Sequence, residues 1–197
     1  MNIDPKQISG NWSAGWALDV HTIKSEHVGY NQFGRDVFDN TYSEIGQALY
    51  KLKSGRDKTQ IDPIAKTAAQ FIQSQPSLKD VSAVVAVPPS DTARQFQHVS
   101  LLAEAVASKL EIPSPSNYLK KVKQTPQLKN MDSVSKHKEL EGAFAVADER
   151  HAGDHILVLD DLFGTGETLK AISDALMTQG KVRQVSVLTM TMNRSRR

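Results

Sequence analysis

Cysteine is absent from the 197-residue chain, which excludes disulfides and any cysteine-based zinc ribbon. Long apolar runs are absent as well, and no stretch approaches the ~20 residues that span a bilayer. The first residues, Met1-Asn2-Ile3-Asp4-Pro5-Lys6, lack the charged-then-apolar layout of a signal peptide. A cytoplasmic location with no membrane partner is the expectation that follows. Aromatic residues make up only 6% and apolar residues 39% of the chain, a modest content for a globular protein. Neither sign of charge prevails: 24 Lys and Arg face 22 Asp and Glu, for a net charge of +2. No global field therefore favours nucleic acid. The local clusters Lys120-Lys121-Val122-Lys123 and Arg194-Ser195-Arg196-Arg197 read as solubilising. Repeats and low-complexity segments are missing. The length suits one compact domain with a small appendage.

What the chain does contain is Ile156-Leu-Val-Leu-Asp160-Asp161-Leu-Phe-Gly164-Thr165-Gly166-Glu167-Thr168. An apolar run ends in two adjacent carboxylates, a small glycine-bearing turn follows, and Leu169, Ile172 and Leu176 then recur at helical spacing. The pattern predicts a buried strand, a tight loop and an amphipathic helix. Amides from Gly164 to Thr168 would lie at the positive end of that helix, a ready anion site, with the Thr165 and Thr168 hydroxyls as further donors. Asp160 and Asp161 would accept hydrogen bonds from vicinal hydroxyls. A phosphate held beside a diol describes a ribose 5-phosphate. A P-loop is excluded because Gly166 is followed by Glu167 and Thr168, with no lysine. A dinucleotide fingerprint is disfavoured because Leu169 stands where its third glycine belongs. An ordinary strand–helix turn would leave two carboxylates closing an apolar strand unpaired, at a cost in stability.

Along the rest of the chain, Trp12 to Ile23 reads as a strand or hairpin outside the core, and Asn31 to Asp39 as a loop. Helices are expected over Thr41–Lys53, from about Asp62 through Ile72 with Pro63 in the first turn, and over His98–Leu110. Val81–Val87 is an unbroken run suited to a strand covered on both faces. Asn117–Val122, Ala143–Val146 and Val182–Met192 supply further strands. Gln124–Glu141 is a long polar loop. Alternating strands and helices predict an α/β sheet whose ligands bind beyond the carboxyl ends of its strands. A diphosphate cradle is expected after Val87, using Pro89, Ser90, Thr92 and Arg94; a plain strand–helix connection is the even alternative. The six histidines, His98 among them, show no metal spacing and read as structural or exposed.

Four apolar residues, two acids, two more apolar residues and a small-Thr-Gly-x-Thr turn resemble the phosphoribosyl pyrophosphate (PRPP) loop of the type I phosphoribosyltransferases. Val85-Ala86-Val87-Pro88 with Arg94 to Ala103, Thr125-Pro126-Gln127 with Gly142-Ala143-Phe144, and Tyr50-Lys51-Leu52-Lys53 with Gly55-Arg56 are similar to segments of the ComF-like branch, without its zinc ribbon. The resemblance implies an α/β type I phosphoribosyltransferase-like parallel sheet flanked by helices. Residues 1–40 would form an N-terminal extension or hood and 41–197 the phosphoribosyltransferase domain. It implies PRPP binding by Asp160, Asp161, Gly164, Thr165, Gly166, Glu167 and Thr168, with Asp160 and Asp161 in the catalytic role. Lys121 and Lys123 are candidates from a mobile loop between Lys120 and Lys138, acting within one chain or across a homodimer. Mg²⁺ would arrive on the ligand's own oxygens, with no direct protein ligand. The implied activity is phosphoribosyl transfer to a nitrogenous acceptor with release of pyrophosphate. A non-catalytic PRPP- or nucleotide-binding protein of regulation or DNA uptake is the alternative. Gly164 stands where hypoxanthine-type enzymes carry an aspartate base, which disfavours that kind of purine salvage.

Overall fold

A computed structural model describes residues 1–89, 96–123, 135 and 139–194. Its centre is a five-stranded sheet built from β1 (Lys6–Gln7), β2 (Ala14–Ala17), β5 (Ala83–Ala86), β8 (His155–Phe163) and β9 (Gln184–Met192), in the order β1-β2-β9-β8-β5. All neighbours are parallel except the antiparallel pair β1–β2. Side chains alternate across this sheet as the strand pleat requires. Ile156 and Val158 point to one face, where they pack with Leu169, Ile172 and Leu176. Leu157 and Leu159 point to the other, among Ile45, Leu49, Ile64 and Leu102. The first face is covered by α4 (Glu167–Thr178) together with the short antiparallel pair β6 (Leu119–Lys121) and β7 (Phe144–Val146). The second is covered by α1 (Glu44–Gly55), α2 (Ile61–Ser74) and α3 (His98–Leu110). The expected parallel sheet with helices on both faces is therefore present.

The reading of Trp12 to Ile23 as a segment outside the core is corrected. Residues 14–17 pair with 186–189 of β9, Val20 adds a further parallel bridge to Met192, and Trp12, Ala17, Leu18 and Val20 are buried. Gly15 makes room for Trp12, since a Cβ there would fall 2.2 Å from its Nε1, and the short length of β2 hides the apolar run that marks a buried strand. What does leave the body is a hairpin, β3 (Thr22–Tyr30) with β4 (Asp36–Tyr42). Both of its faces are solvated, and Ile23, Val28, Tyr30, Phe33 and Phe38 are exposed. Only 31–35 of the expected Asn31–Asp39 loop is a turn, closed by Asn31 Oδ1 accepting from the Phe33 and Arg35 amides.

The chain returns from the hairpin directly into α1. Ser43 caps that helix by accepting from the Gly46 amide, and its own hydroxyl donates to the Val20 carbonyl. Gly46 makes this approach possible, since a Cβ there would fall 2.2 Å from the His21 carbonyl oxygen. The start of α1 is thus fixed against the end of β2, and its last turn lies near the carboxyl end of the sheet.

Candidate active site

The apolar part of β8 stops at Leu159, and Asp160 and Asp161 follow within the same strand, paired alongside β9 as far as Phe163 with Met192. Asp160 Oδ1 accepts a hydrogen bond from the Asp161 amide at 2.8 Å. Asp161 is buried, with two side-chain partners on one oxygen. Lys53 Nζ, from the last turn of α1, donates to Oδ2 at 2.7 Å, and His98 Nε2, from the first turn of α3, lies 2.8 Å from the same atom. Burial opposes charge on Asp161, but the His98 hydrogen bond and the Lys53 charge outweigh it, and its carboxyl is held well below the usual carboxylate range. Asp160 moves the other way. Burial, then the adjacent negative Asp161, push its carboxyl well above the usual value. Two neighbouring acids thus have opposite proton affinities, a pattern that concentrates at functional sites.

Thr191 of β9 donates its hydroxyl to the Asp161 carbonyl at 3.0 Å and lies 3.2 Å from His21 Nδ1. Since Thr191 donates to the carbonyl, its oxygen accepts from Nδ1–H of the imidazole. Burial lowers the His21 pKa, against the opposing pull of Asp161, which keeps the ring neutral at pH 7. His21 also meets Tyr42 edge-on at 5.4 Å, and Tyr42 stacks on Tyr50 of α1 at 5.2 Å. The root of the hairpin therefore stands beside the acid pair.

Beyond Phe163 the chain turns through Gly164, Thr165 and Gly166 into α4. Gly166 is the N-cap residue with φ +83°, and no side-chain hydrogen bond caps the helix, whose first-turn amides point toward the loop. Glu167, buried in the first turn, ion-pairs through Oε1 with Lys170 at 2.9 Å. The loop is supported from below by Trp12. Its indole donates to the Ile8 carbonyl at 3.0 Å and meets the Phe163 ring edge-on at 6.5 Å.

The structure thus brings Asp160, Asp161, Gly164, Thr165, Gly166, Glu167 and Thr168 into one strand–turn–helix unit. Pro89 follows β5 and, with Pro88, lines a small cleft shared with Ser100, Glu104 and Ser114. Ser90, Thr92 and Arg94 lie outside the described residues, as does most of the expected mobile loop. Lys121 sits in β6, where burial lowers its pKa. Lys123 Nζ donates to the Glu139 carbonyl at 2.9 Å. Sequence reasoning missed Lys53, His21 and His98 as neighbours of the acid pair; His98, expected to be structural or exposed, is 16% exposed and bonded to Asp161. The signals that pass through them are the resemblance segments, Tyr50 to Arg56 for Lys53 and Arg94 to Ala103 for His98.

No family model matches the chain. The chain is similar to competence protein F of Haemophilus influenzae, 28% identical over 96 residues that cover 48% of this chain and 42% of that protein. Less than half of that relative's length is therefore matched. Among solved structures, adenine phosphoribosyltransferase from Saccharomyces cerevisiae aligns with a TM-score of 0.46 and 11% identity, over 84% of this chain and 83% of that one. Hypoxanthine phosphoribosyltransferase from Staphylococcus aureus aligns with a TM-score of 0.42 and 16% identity, over 70% and 65% of the two chains. At such overlaps only the local geometry at the end of β8 bears on chemistry. Among the described residues no helix is long and apolar enough to cross a membrane.

Proposed function

We propose that this ComF-like chain binds PRPP at the carboxyl end of β8 and transfers its phosphoribosyl group to a nitrogenous acceptor, releasing pyrophosphate. The observation that carries the reading is the continuity of Asp160 and Asp161 with the uncapped N-terminus of α4. Acids for a diol and amides for a phosphate stand one turn apart. The ribose hydroxyls would donate to the two carboxylates, and the 5-phosphate would accept from the amides of residues 164–168. As the anomeric C–O bond breaks, positive charge grows on the sugar while the electron pair leaves with pyrophosphate. The carboxylates would stabilise that cation, and catalysis would be mainly orientation and electrostatics.

The donor set fits magnesium carried by the ligand. Asp161 Oδ2 already has the Lys53 ammonium and the His98 imidazole as partners and Asp160 Oδ1 already accepts an amide, so the pair is poorly furnished to chelate an ion by itself. When bound, Mg²⁺ would neutralise charge on the departing pyrophosphate. The β3–β4 hairpin, rooted at His21, is proposed as the hood over the acceptor side.

Incubation with PRPP, Mg²⁺ and a panel of nucleobases and amines, with pyrophosphate measured, tests the reading. Acceptor-dependent release is expected. Saturable PRPP binding with no release under any acceptor would instead favour a PRPP-sensing protein of regulation or DNA uptake. The similarity to competence protein F supports that second reading.

A further inference from the structure

The proposed ligand carries anionic groups at both ends of its ribose, yet α4 supplies amides at only one of them. Lys53 and His98 reach the acid pair from helices on the opposite face of the sheet: α1 and α3 pack on the Leu157–Leu159 side, α4 on the Ile156–Val158 side. We infer that Lys53 and His98 form a diphosphate clamp, which rests on Asp161 in the free protein and transfers to the pyrophosphate moiety of PRPP on binding. This inference rests on the PRPP reading of the same site.

Three observations support it. A carboxylate oxygen offers about two lone-pair directions, and both donors already converge on Asp161 Oδ2, at 2.7 and 2.8 Å. A diol hydroxyl approaching that atom must displace one of them, and a displaced cation needs a new anion nearby. Next, Lys53 is about half exposed, at 48% of its side chain. The Asp161 carboxylate it pairs with is only 12% exposed, so the solvent side of this ion pair belongs to the lysine, whose charged head stays hydrated and has room to swing to another anion. Finally, Lys53 is an ammonium on a flexible stem, suited to following a moving phosphate charge, whereas His98 is only 16% exposed and stands at the start of α3. The pair combines a mobile and a fixed donor. Until ligand arrives, their bonds also keep Asp161 ionised and oriented.

The test compares two probes by calorimetry in the presence of Mg²⁺: PRPP, and ribose 5-phosphate, which lacks the diphosphate. Wild type should bind both. Lys53→Gln and His98→Gln should each lose about tenfold or more in PRPP affinity, the scale of one charge-assisted bond. Affinity for ribose 5-phosphate should change less than about threefold, and Lys53→Arg should restore most of the PRPP binding. Equal losses for both probes would make the two residues mere supports of Asp161 and overturn the clamp. Unchanged PRPP affinity would overturn it as well. If wild type binds ribose 5-phosphate and PRPP equally well, the site reading survives and the clamp does not. If wild type binds neither, the underlying PRPP reading fails and takes the clamp with it.

Discussion

Gly166 lies directly against the ring of Phe163: a Cβ on it would stand 3.0 Å from Phe163 Cε2, on a backbone with φ +83°. Gly164, two residues earlier, has no such constraint, and its nearest neighbour would be Asn193 Nδ2 at 3.8 Å. The two glycines of the turn are therefore not equivalent. Gly166→Ala should cost about 1–2 kcal/mol from the left-handed backbone alone, with additional loss of PRPP affinity as the loop shifts. Gly164→Ala should stay within about 0.5 kcal/mol of wild type. Urea denaturation of the two variants checks the ordering, and equal costs would refute it.

Trp12 underlies the same loop. It is buried, its indole N–H is bonded, and its ring abuts Phe163. Trp12→Ala should destabilise the fold by about 3–5 kcal/mol, the range for large aromatic truncations in cores. A loss below 1 kcal/mol in chemical denaturation would mean that the N-terminal segment is peripheral after all.

A second polar chain, buried at His155 and Ser186 and reaching solvent at Asp80 and Arg183, lies at the amino ends of the strands. His155 is fully enclosed, with Nδ1 2.6 Å from Asp80 Oδ1 and Nε2 2.8 Å from Ser186 Oγ. Arg183, then His155, hold the Asp80 carboxyl down to about 2. A carboxyl depressed on folding contributes stability above its unfolded pKa, near 3.8, and that contribution fades as pH falls through the folded value near 2. Asp80→Asn should thus be less stable than wild type at pH 6, with the gap closing between about pH 4 and pH 2. A gap independent of pH would contradict the pairing. His155→Phe should cost about 1–3 kcal/mol, because Ser186 would be left buried without its partner.

Asp160 should show the opposite sign. Its carboxyl is raised on folding by burial and by Asp161, so ionising it opposes folding, and the penalty grows as pH rises above the unfolded value near 3.8. Asp160→Asn keeps an oxygen to accept the Asp161 amide and removes that penalty. At pH 7 the variant should melt about 2–4 °C higher per kcal/mol gained for a chain of this size, and near pH 3 the difference should vanish. A lower melting temperature at pH 7 would show that Asp160 is stabilising in the free protein.

Long-period patterns made most of the framework legible. Helix α3 falls on the predicted His98–Leu110, and the apolar runs at 81–87 and 156–159 mark the adjacent parallel strands β5 and β8. Extended structure at β2 was legible, but its place in the core was not, because four residues, Ala14-Gly15-Trp16-Ala17, carry no period; only the partner β9 makes them a core strand. The hairpin escaped because both its faces are wet, so its residues do not alternate. Asp160 to Thr168 could be read as one site because they are contiguous. Lys53 and His98 lie 108 and 63 residues from Asp161, and a single lysine or histidine gives no local sign of such a partner.

The central claim is that the acid pair before α4 holds PRPP, and Asp160→Asn tests it most directly because this variant should fold at least as well as wild type. PRPP is titrated into both proteins with Mg²⁺ at pH 7 while heat is recorded. Wild type should bind saturably, and the variant should lose about 1.5–3 kcal/mol of binding free energy, the share of one charge-assisted hydrogen bond. Equal PRPP affinity in the two proteins, or no binding by wild type, would contradict the assignment.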